Sequence, residues 1–431
     1  MKKADIIISP KWLLSQKNDS LLQDHSIFIE GNIIKEILPN NLAFKTYDME
    51  NRTILNNHII LPGLINCYHN STLTFFKNSD RIQDKFKNKT IHESYIEKYS
   101  ENYKALSAQL LITEMIKNGI TTFCDDDIFP SYMIDEVTKA KLRCCVGLKI
   151  YNKKTEWANN EDECLNKSLR IFDDNKNNPD IKFFFHPLSV NDVSEGMFQK
   201  ISKIANELDI PIRMSINTSK KEINECIKHN KCRPLDYIEK FDILNNKFTA
   251  LNTLILNAHD VKLLEKYRSN LVINKITQLL STEIIIDELI EKKINIILST
   301  GIIGNYSDSN ILDDMAILSL LSNIKKSKLN TNTIFKMVTI NPALSLGLDQ
   351  NIGMLAQGYL ADIISINIKN IIQKDSVSYN GIEKYLKSSN IDNLWISGKH
   401  VLKNYKLLTL EENKMYDRFR KIKELSGKDE Y

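Results

Sequence analysis

The chain is poor in the residues that punctuate and crosslink a fold. Thirteen glycines in 431 residues is about half the usual share of ~7%. With Asn, Lys and Ile abundant throughout, that scarcity reads as compositional drift and assigns those residues no task. The seven cysteines, Cys67, Cys124, Cys144, Cys145, Cys164, Cys226 and Cys232, are odd in number and contain no Cys-x-x-Cys pair. A disulfide framework and a zinc ribbon are thereby excluded. Cys67, Cys124, Cys144 and Cys145 lie in apolar strand-like runs and read as small core residues. No apolar run approaches the ~18 residues of a membrane span, and the N-terminal MKKADIIIS is too short for a signal sequence. Cytoplasmic residence and no membrane partner are expected. A dominant charge is missing as well: the net charge is +4, with acids and bases interspersed, which leaves no footprint for nucleic acid. The basic tail from Lys414 to Lys428 is interrupted by Asp417 and Glu424 and reads as a solvated helix. Nothing resembles a nucleophile elbow, a phosphate loop or a catalytic triad.

What is present is an ordinary globular composition, 42% apolar and 26% charged, long enough for a barrel and a satellite module. Residues 4 to 57 hold short β-like runs, DIIIS, SIFIE and NIIKEIL, separated by polar turns such as Glu30-Gly31-Asn32. A matching set, ADIISINI and NLWISGKHVL, follows at 361 to 402. Each group is too small to bury a core alone. They are expected to join in one small β-sandwich from residues 1–58 and 352–431, with the barrel of residues 59–351 inserted between them. In that middle portion apolar strands alternate with helical stretches: ITTFCD, RCCVGLKIY, IKFFFHPL, IPIRMSI, TLILNAH, NLVIN and INIILST, preceded by the strand before Tyr68. Eight such strands fit a (β/α)8 barrel with its chemistry at the strand C-termini.

The stretch ILPGLINCYHNSTLTFFKNSD, Ile60 to Asp80, carries the most information. An apolar run closes on Leu-Pro-Gly, passes Leu64, Ile65 and Asn66, and ends in Tyr68-His69-Asn70. Gly119 to Asp125 holds a Gly-x-Thr-Thr-x-x-Asp pattern, HNKCRPLDYIEKFDIL an Arg-Pro helix segment, and SNILDDM a Ser-Asn-x-x-x-Asp-Met segment. Near the exit, Thr339, Asn341, Ala343, Gly347, Gly353, Gly358 and Ala361-Asp362 fall in one register. Together these resemble the amidohydrolase superfamily, and within it the methylthioadenosine/S-adenosylhomocysteine deaminases and their triazine-hydrolase relatives, over nearly the whole chain.

The resemblance implies one zinc or iron ion held by two histidines on the first barrel strand, one each on the fifth and sixth, and an aspartate on the eighth, and making hydroxide from water near neutral pH. Pro-Gly-Leu-Ile-Asn-x-His-x-His places the first pair at Tyr68 and Asn70, and His69 between them points to the opposite face. His-x-x-Glu falls on Ser215 and Thr218, removing both a ligand and the proton-transferring carboxylate. Gly-Thr-Asp falls on Ser299-Thr300-Gly301. Ala258-His259 matches Ala-His, the one ligand position kept, and a single histidine cannot hold the metal. Of the eight histidines, His25, His58 and His400 lie outside the barrel or at its edge, and His92 and His229 in helix-like polar segments. His186 and His259 remain. His186 is either a substrate contact, as the resemblance implies, or a histidine satisfying a strand end. His259 is either a ligand relic or a hydrogen-bonding residue in a polar pocket. Lys77-Asn78 stands where relatives have Arg-Gly.

Asp125, Asp126 and Asp127 offer carboxylates near the barrel mouth, and an exposed acidic loop is expected there, since neighbours on a strand end cannot all face one centre. The candidate binding residues are thus Tyr68, Asn70, His186, Ser215, Thr218, His259 and Gly301, with no metal, no cofactor and no assigned catalytic residue. The expected function is a pseudoenzyme of the nucleoside-deaminase lineage, keeping a pocket for a nucleoside-like small molecule and assembling as a homo-oligomer or with an active paralogue. The alternative is an active hydrolase of an adenosine-like or other heterocyclic substrate, working through a non-standard site.

Overall fold

The computed structural model describes residues 1–15, 20–74, 101–127, 129–274, 286–301, 310–369, 378–384 and 386–426. Lys77, Asn78, His92, Ser309 and the tail beyond Ser426 lie outside the described residues. The N-terminal runs form β1 (Ile6–Ser15), β2 (Ser20–Gln23), β3 (His25–Glu30), β4 (Ile33–Pro39) and β5 (Arg52–Pro62). Eight parallel strands follow: β6 (Leu64–His69), β7 (Ile120–Asp125), β8 (Arg143–Ile150), β9 (Ile181–Pro187), β10 (Ile212–Ser215), β11 (Phe248–Leu251), β12 (Asn270–Ile273) and β13 (Asn295–Leu298). The C-terminal runs give β14 (Ile363–Asn367), β15 (Ile391–Ile396), β16 (Lys399–Lys403) and β17 (Lys406–Leu407).

The two chain ends meet in one mixed sheet of order β17-β16-β15-β14-β5-β1-β3-β4, with β2 paired to β1. Its centre is the antiparallel pairing of β14 on β5, from Ile363 opposite Pro62 to Asn367 opposite His58. Ile8, Leu13, Ile27, Ile60, Ile363 and Trp395 pack together there, so the sheet's apolar face draws on both ends of the chain. The tail helix Glu412–Ser426 is not wholly solvated: Met415, Phe419 and Ile422 pack on Tyr103, Leu106 and Leu110.

The eight parallel strands follow chain order, β6 to β13, in a nearly closed barrel. Seven coincide with the apolar runs read from the sequence. The sixth does not: TLILNAH is not a strand, and β11 is the preceding Phe248–Leu251. Its last residues begin the helix Ala258–Tyr267, because Asn257 and Asp260 form a capping box, each side chain accepting the other's backbone N–H. That Asn-x-x-Asp signature marks a helix start.

The barrel's rims are tied differently. At the N-terminal rim, buried Arg143 of β8 donates to Asp362 Oδ2 at 2.6 Å, to Thr122 Oγ1 at 2.9 Å and to Ser397 Oγ at 3.0 Å, locking the barrel to the outer sheet. The ladder path does not close between β13 and β6. There the segment Met337-Val338 inserts, Leu298 N–H donating to Met337 O and Ile65 N–H to Val338 O, both at 2.9 Å. Higher up, fully buried Asn66 spans the gap: its amide donates to Thr300 Oγ1 at 2.9 Å, and its carbonyl accepts from Ser299 Oγ and from Thr300 N–H at 3.3 Å.

Asn66→Ala should therefore destabilise the protein by about 2–4 kcal/mol, because it strands the buried Ser299 and Thr300 hydroxyls as well as removing the bonds. Equilibrium urea unfolding measures it. A change below about 0.5 kcal/mol, the level of an ordinary surface substitution, would mean that Met337-Val338 holds the seam alone.

Candidate functional site

The strand C-termini bring four of the seven candidate residues to the barrel mouth. Tyr68, at the end of β6, lies 8% exposed, and its hydroxyl accepts a hydrogen bond from Asn252 Nδ2 at 2.5 Å. The same amide donates to Ser215 Oγ, at the end of β10, at 3.0 Å. Tyr68, Ser215 and Asn252 thus link the ends of β6, β10 and β11. Burial raises the Tyr68 phenol above its ordinary value, with the charge of Asp126 adding to the shift, so the hydroxyl stays neutral. Asn252 carries no signal in the sequence reading, because TLILNAH puts the sixth strand end at His259 and the structure puts it at Leu251. It follows directly on β11 and takes a left-handed φ of 51°, which asparagine tolerates better than most residues.

Asn70 and His186 meet around Asp126. Asn70 Nδ2 donates to the Asp126 backbone carbonyl at 3.4 Å, and Lys149 Nζ, from β8, donates to the same oxygen at 3.1 Å. The three consecutive aspartates are not an exposed loop: Asp125, Asp126 and Asp127 are all at least 96% buried. They divide because successive side chains point apart. Asp125 takes the Ser71 N–H at 2.8 Å and the Ser71 hydroxyl at 3.1 Å, and Asp127 takes the same hydroxyl at 2.8 Å. Asp126 turns the other way, and neither of its carboxylate oxygens has a hydrogen-bond partner among the described residues. Burial raises its carboxyl to about 7, against the pull of the Arg213 and Lys149 charges. His186 Nδ1 lies 4.0 Å from Asp126 Oδ1. Burial, then the charges of Lys149 and Arg213, hold the imidazole well below its ordinary value. At that distance, with a neutral ring, the two do not form an ion pair.

Beneath them Arg213, two residues before Ser215 on the same face of β10, is fully buried. Nη1 donates to Cys124 Sγ at 2.5 Å, Nη2 donates to the Cys67 carbonyl, and the guanidinium lies 4.7 Å from the centre of the Phe184 ring. Burial opposes its charge, but Cys124, Cys67 and Asp126 more than offset this. The cysteines are buried and free, as read, with only Cys232 partly exposed.

The remaining candidates stand apart. Thr218 donates through its N–H and hydroxyl to Glu222 Oε2, at 2.7 and 2.6 Å, fixing the start of the helix Lys220–Asn230. His259 is exposed on the helix Ala258–Tyr267 and bonds Asp236 at 2.6 Å; the helix start that displaced TLILNAH carries it away from the mouth. Gly301 has φ 71°, and a Cβ there would lie 2.4 Å from Asn274 Nδ2.

A divalent transition metal does not fit these residues. The positions implied by the resemblance carry the neutral phenol of Tyr68, the carboxamide of Asn70, the hydroxyl of Ser215 and Gly301, and Asn252 in place of His259 follows the sixth strand, where zinc or iron needs imidazole, thiolate or carboxylate. Among the described residues no group of three His, Cys, Asp or Glu side chains is placed to hold a metal ion.

The profile described as Amidohydrolase family matches residues 59–401. The chain belongs to the amidohydrolase family. Over 428 residues it is 26% identical to a 5-methylthioadenosine/S-adenosylhomocysteine deaminase of Saccharophagus degradans, covering 96% of this chain and 95% of that one. A 5'-deoxyadenosine deaminase of Methanococcus vannielii is 25% identical over 406 residues, 91% of this chain and 94% of that one. Among solved structures, an adenosine deaminase from Xanthomonas campestris with bound zinc superposes with a TM-score of 0.90 at 18% identity, covering 98% of both chains. This amidohydrolase therefore has its family's barrel fold.

Asp126 makes stability depend on pH. Its carboxyl, at about 7 in the fold against an ordinary 3.8, holds its proton more tightly when folded. That contribution is complete below the unfolded value and is lost as pH rises through about 7. Asp126→Asn should accordingly raise the thermal midpoint above the parent's by more at pH 8 than at pH 5. Equal shifts at both values would show an unperturbed carboxyl.

Proposed function

We propose that this amidohydrolase is a non-catalytic member of the methylthioadenosine/S-adenosylhomocysteine deaminase lineage, a protein that keeps a polar barrel-mouth pocket for a nucleoside-like small molecule. The observation that carries this reading is the hydrogen-bonded chain Tyr68–Asn252–Ser215, which occupies the strand ends where metal ligands are implied. Metal-free hydrolysis must start from water with a pKa of ~15.7, not the ~7 of metal-bound water. Thr218, tied to Glu222, offers no proton transfer in place of a glutamate. The proposal extends to architecture: residues 1–58 and 352–431 act as one composite unit around the barrel of 59–351, supported by the pairing of β14 on β5.

One observation favours a second reading, a hydrolase with a non-standard site. Asp126, its carboxyl raised to about 7, sits beside the neutral imidazole of His186, and groups so poised suit proton transfer near neutral pH.

Elemental analysis and a deamination assay separate the two. The purified protein should hold no stoichiometric zinc or iron and should not deaminate methylthioadenosine, S-adenosylhomocysteine or 5'-deoxyadenosine. One metal per chain retained after mild chelation, or turnover at ordinary enzymatic rates, rejects the non-catalytic reading. Restoring ligands tests the geometry further. Tyr68→His, Asn70→His, Ser215→His, Asn252→His and Gly301→Asp together should gain no zinc affinity, because the new Cβ at 301 meets Asn274. Adding Asn274→Ala should produce zinc binding measurable by calorimetry. Tight binding without that sixth change would show that Asn274 is no obstacle.

A further inference from the structure

Buried polar atoms without partners are uncommon, and a cluster of them calls for an explanation. Around Asp126 several occur together. Both of its carboxylate oxygens, Asn70 Oδ1 and His186 Nδ1 have no hydrogen-bond partner among the described residues. All three side chains are more than 90% buried. They are neighbours: His186 Nδ1 is 4.0 Å from Asp126 Oδ1, and Asn70 Nδ2 is bonded to the Asp126 carbonyl. The Asp126 backbone is fixed by Asn70, by Lys149 and by its own N–H to His69 O at 2.8 Å. Its side chain alone is left without hydrogen bonds.

Ionised, as it is above about pH 7, the Asp126 carboxylate offers only acceptors, as does Asn70 Oδ1, so the missing group is a donor. A carboxylate is best met by two parallel N–H groups on one planar edge. The charges nearby decide between a cationic and a neutral edge. Lys149 Nζ lies on the Asp126 carbonyl, and the Arg213 guanidinium sits below on β10, so a further cation would be repelled while a neutral donor edge would not. An aminopurine edge that alternates donor and acceptor, as in adenine, would set a ring lone pair against one of the two carboxylate oxygens.

We propose that Asp126, with Asn70 and His186 beside it, is a recognition site for a neutral heterocycle presenting a ring N–H next to an exocyclic amino group, the edge of a 2-amino-6-oxopurine. This rests on the binding-protein reading above and gives that pocket its ligand class. Asp126 is the specificity-determining residue. Asn70 and His186 accept from, or flank, the same edge.

Calorimetric titration of the full chain with 9-methylguanine and guanosine tests it, against 9-methylhypoxanthine, which lacks the amino group, and 1,9-dimethylguanine, whose ring N–H is blocked. The guanine compounds should bind at least about tenfold more tightly than either control, the value of one charge-assisted hydrogen bond. Asp126→Asn, near-isosteric, should erase that preference while circular dichroism shows an unchanged fold. If the variant does not fold, the comparison of controls within the parent still decides. Binding of neither guanine compound, equal binding of the controls, or a preference surviving in folded Asp126→Asn would overturn the proposal; the first result means that water satisfies these atoms. The titrated mixtures are also analysed for released ammonia. Ammonia together with Asp126-dependent preference upholds the recognition site and rejects only the non-catalytic reading.

Discussion

An unclosed ladder is the constraint on which the rest of this barrel depends. Eight parallel strands run from β6 to β13 without the final pairing, so the seam must be held by other means. Met337-Val338 supplies backbone partners low in the seam, and the Asn66 amide supplies three hydrogen bonds above them. The Tyr68–Asn252–Ser215 chain continues the same device across the mouth. A metal would draw converging strand ends together by charge. Here neutral groups do so through hydrogen bonds, each modest in net value but costly to break inside a dry interior. The ends of β6, β10 and β11 are joined by these hydrogen bonds.

The interior beneath that mouth is unusual for a barrel core, because it contains a fully buried guanidinium with no direct carboxylate partner. Arg213 is held by a thiol, a backbone carbonyl and the face of Phe184, while its Nε has no hydrogen-bond partner among the described residues. Hydrogen bonds from Cys145 and Cys67 and the charge of Arg213 hold the Cys124 thiol well below its ordinary value, against burial. A buried positive charge of this kind sets the sign of the field above it. Burial, Lys149 and then Arg213 keep His186 deprotonated, and Arg213 pulls the Asp126 carboxyl down against the larger effect of burial. The polar character of the barrel mouth therefore draws on the layer beneath it as well as on its rim.

The sequence made the fold legible because its signals were redundant. Alternating apolar strands and helices, β-branched runs at both ends and the Leu-Pro-Gly entry to β6 all point to one architecture. The site was less legible, since it depends on single-residue register. TLILNAH has the composition of a strand, and only the Asn257–Asp260 capping pair shows it to be the approach to a helix. Reading it as a strand moved the sixth strand end from Leu251 to His259. Asn252, an uncharged residue in a turn, then carried no signal of its own. Asp126 was hidden for a different reason. Three adjacent aspartates suggest solvent by composition, whereas in the fold Ser71 donates to Asp125 and Asp127 and burial raises the Asp125 and Asp126 carboxyls toward their neutral forms.

The changes at the mouth also constrain one another. Gly301 adopts a φ of 71°, which a side chain rarely tolerates, and Asn274 occupies the space that a Cβ would need. Asn252 holds Tyr68 and Ser215 through one amide, so replacing Asn252 removes that partner from both hydroxyls. Lys149 and Asn70 both donate to the Asp126 backbone carbonyl. Replacing Tyr68 or Ser215 by histidine would therefore break existing hydrogen bonds, and each such step would cost stability on its own. The barrel mouth is a hydrogen-bonded arrangement whose chemistry is set by the acceptors it leaves open.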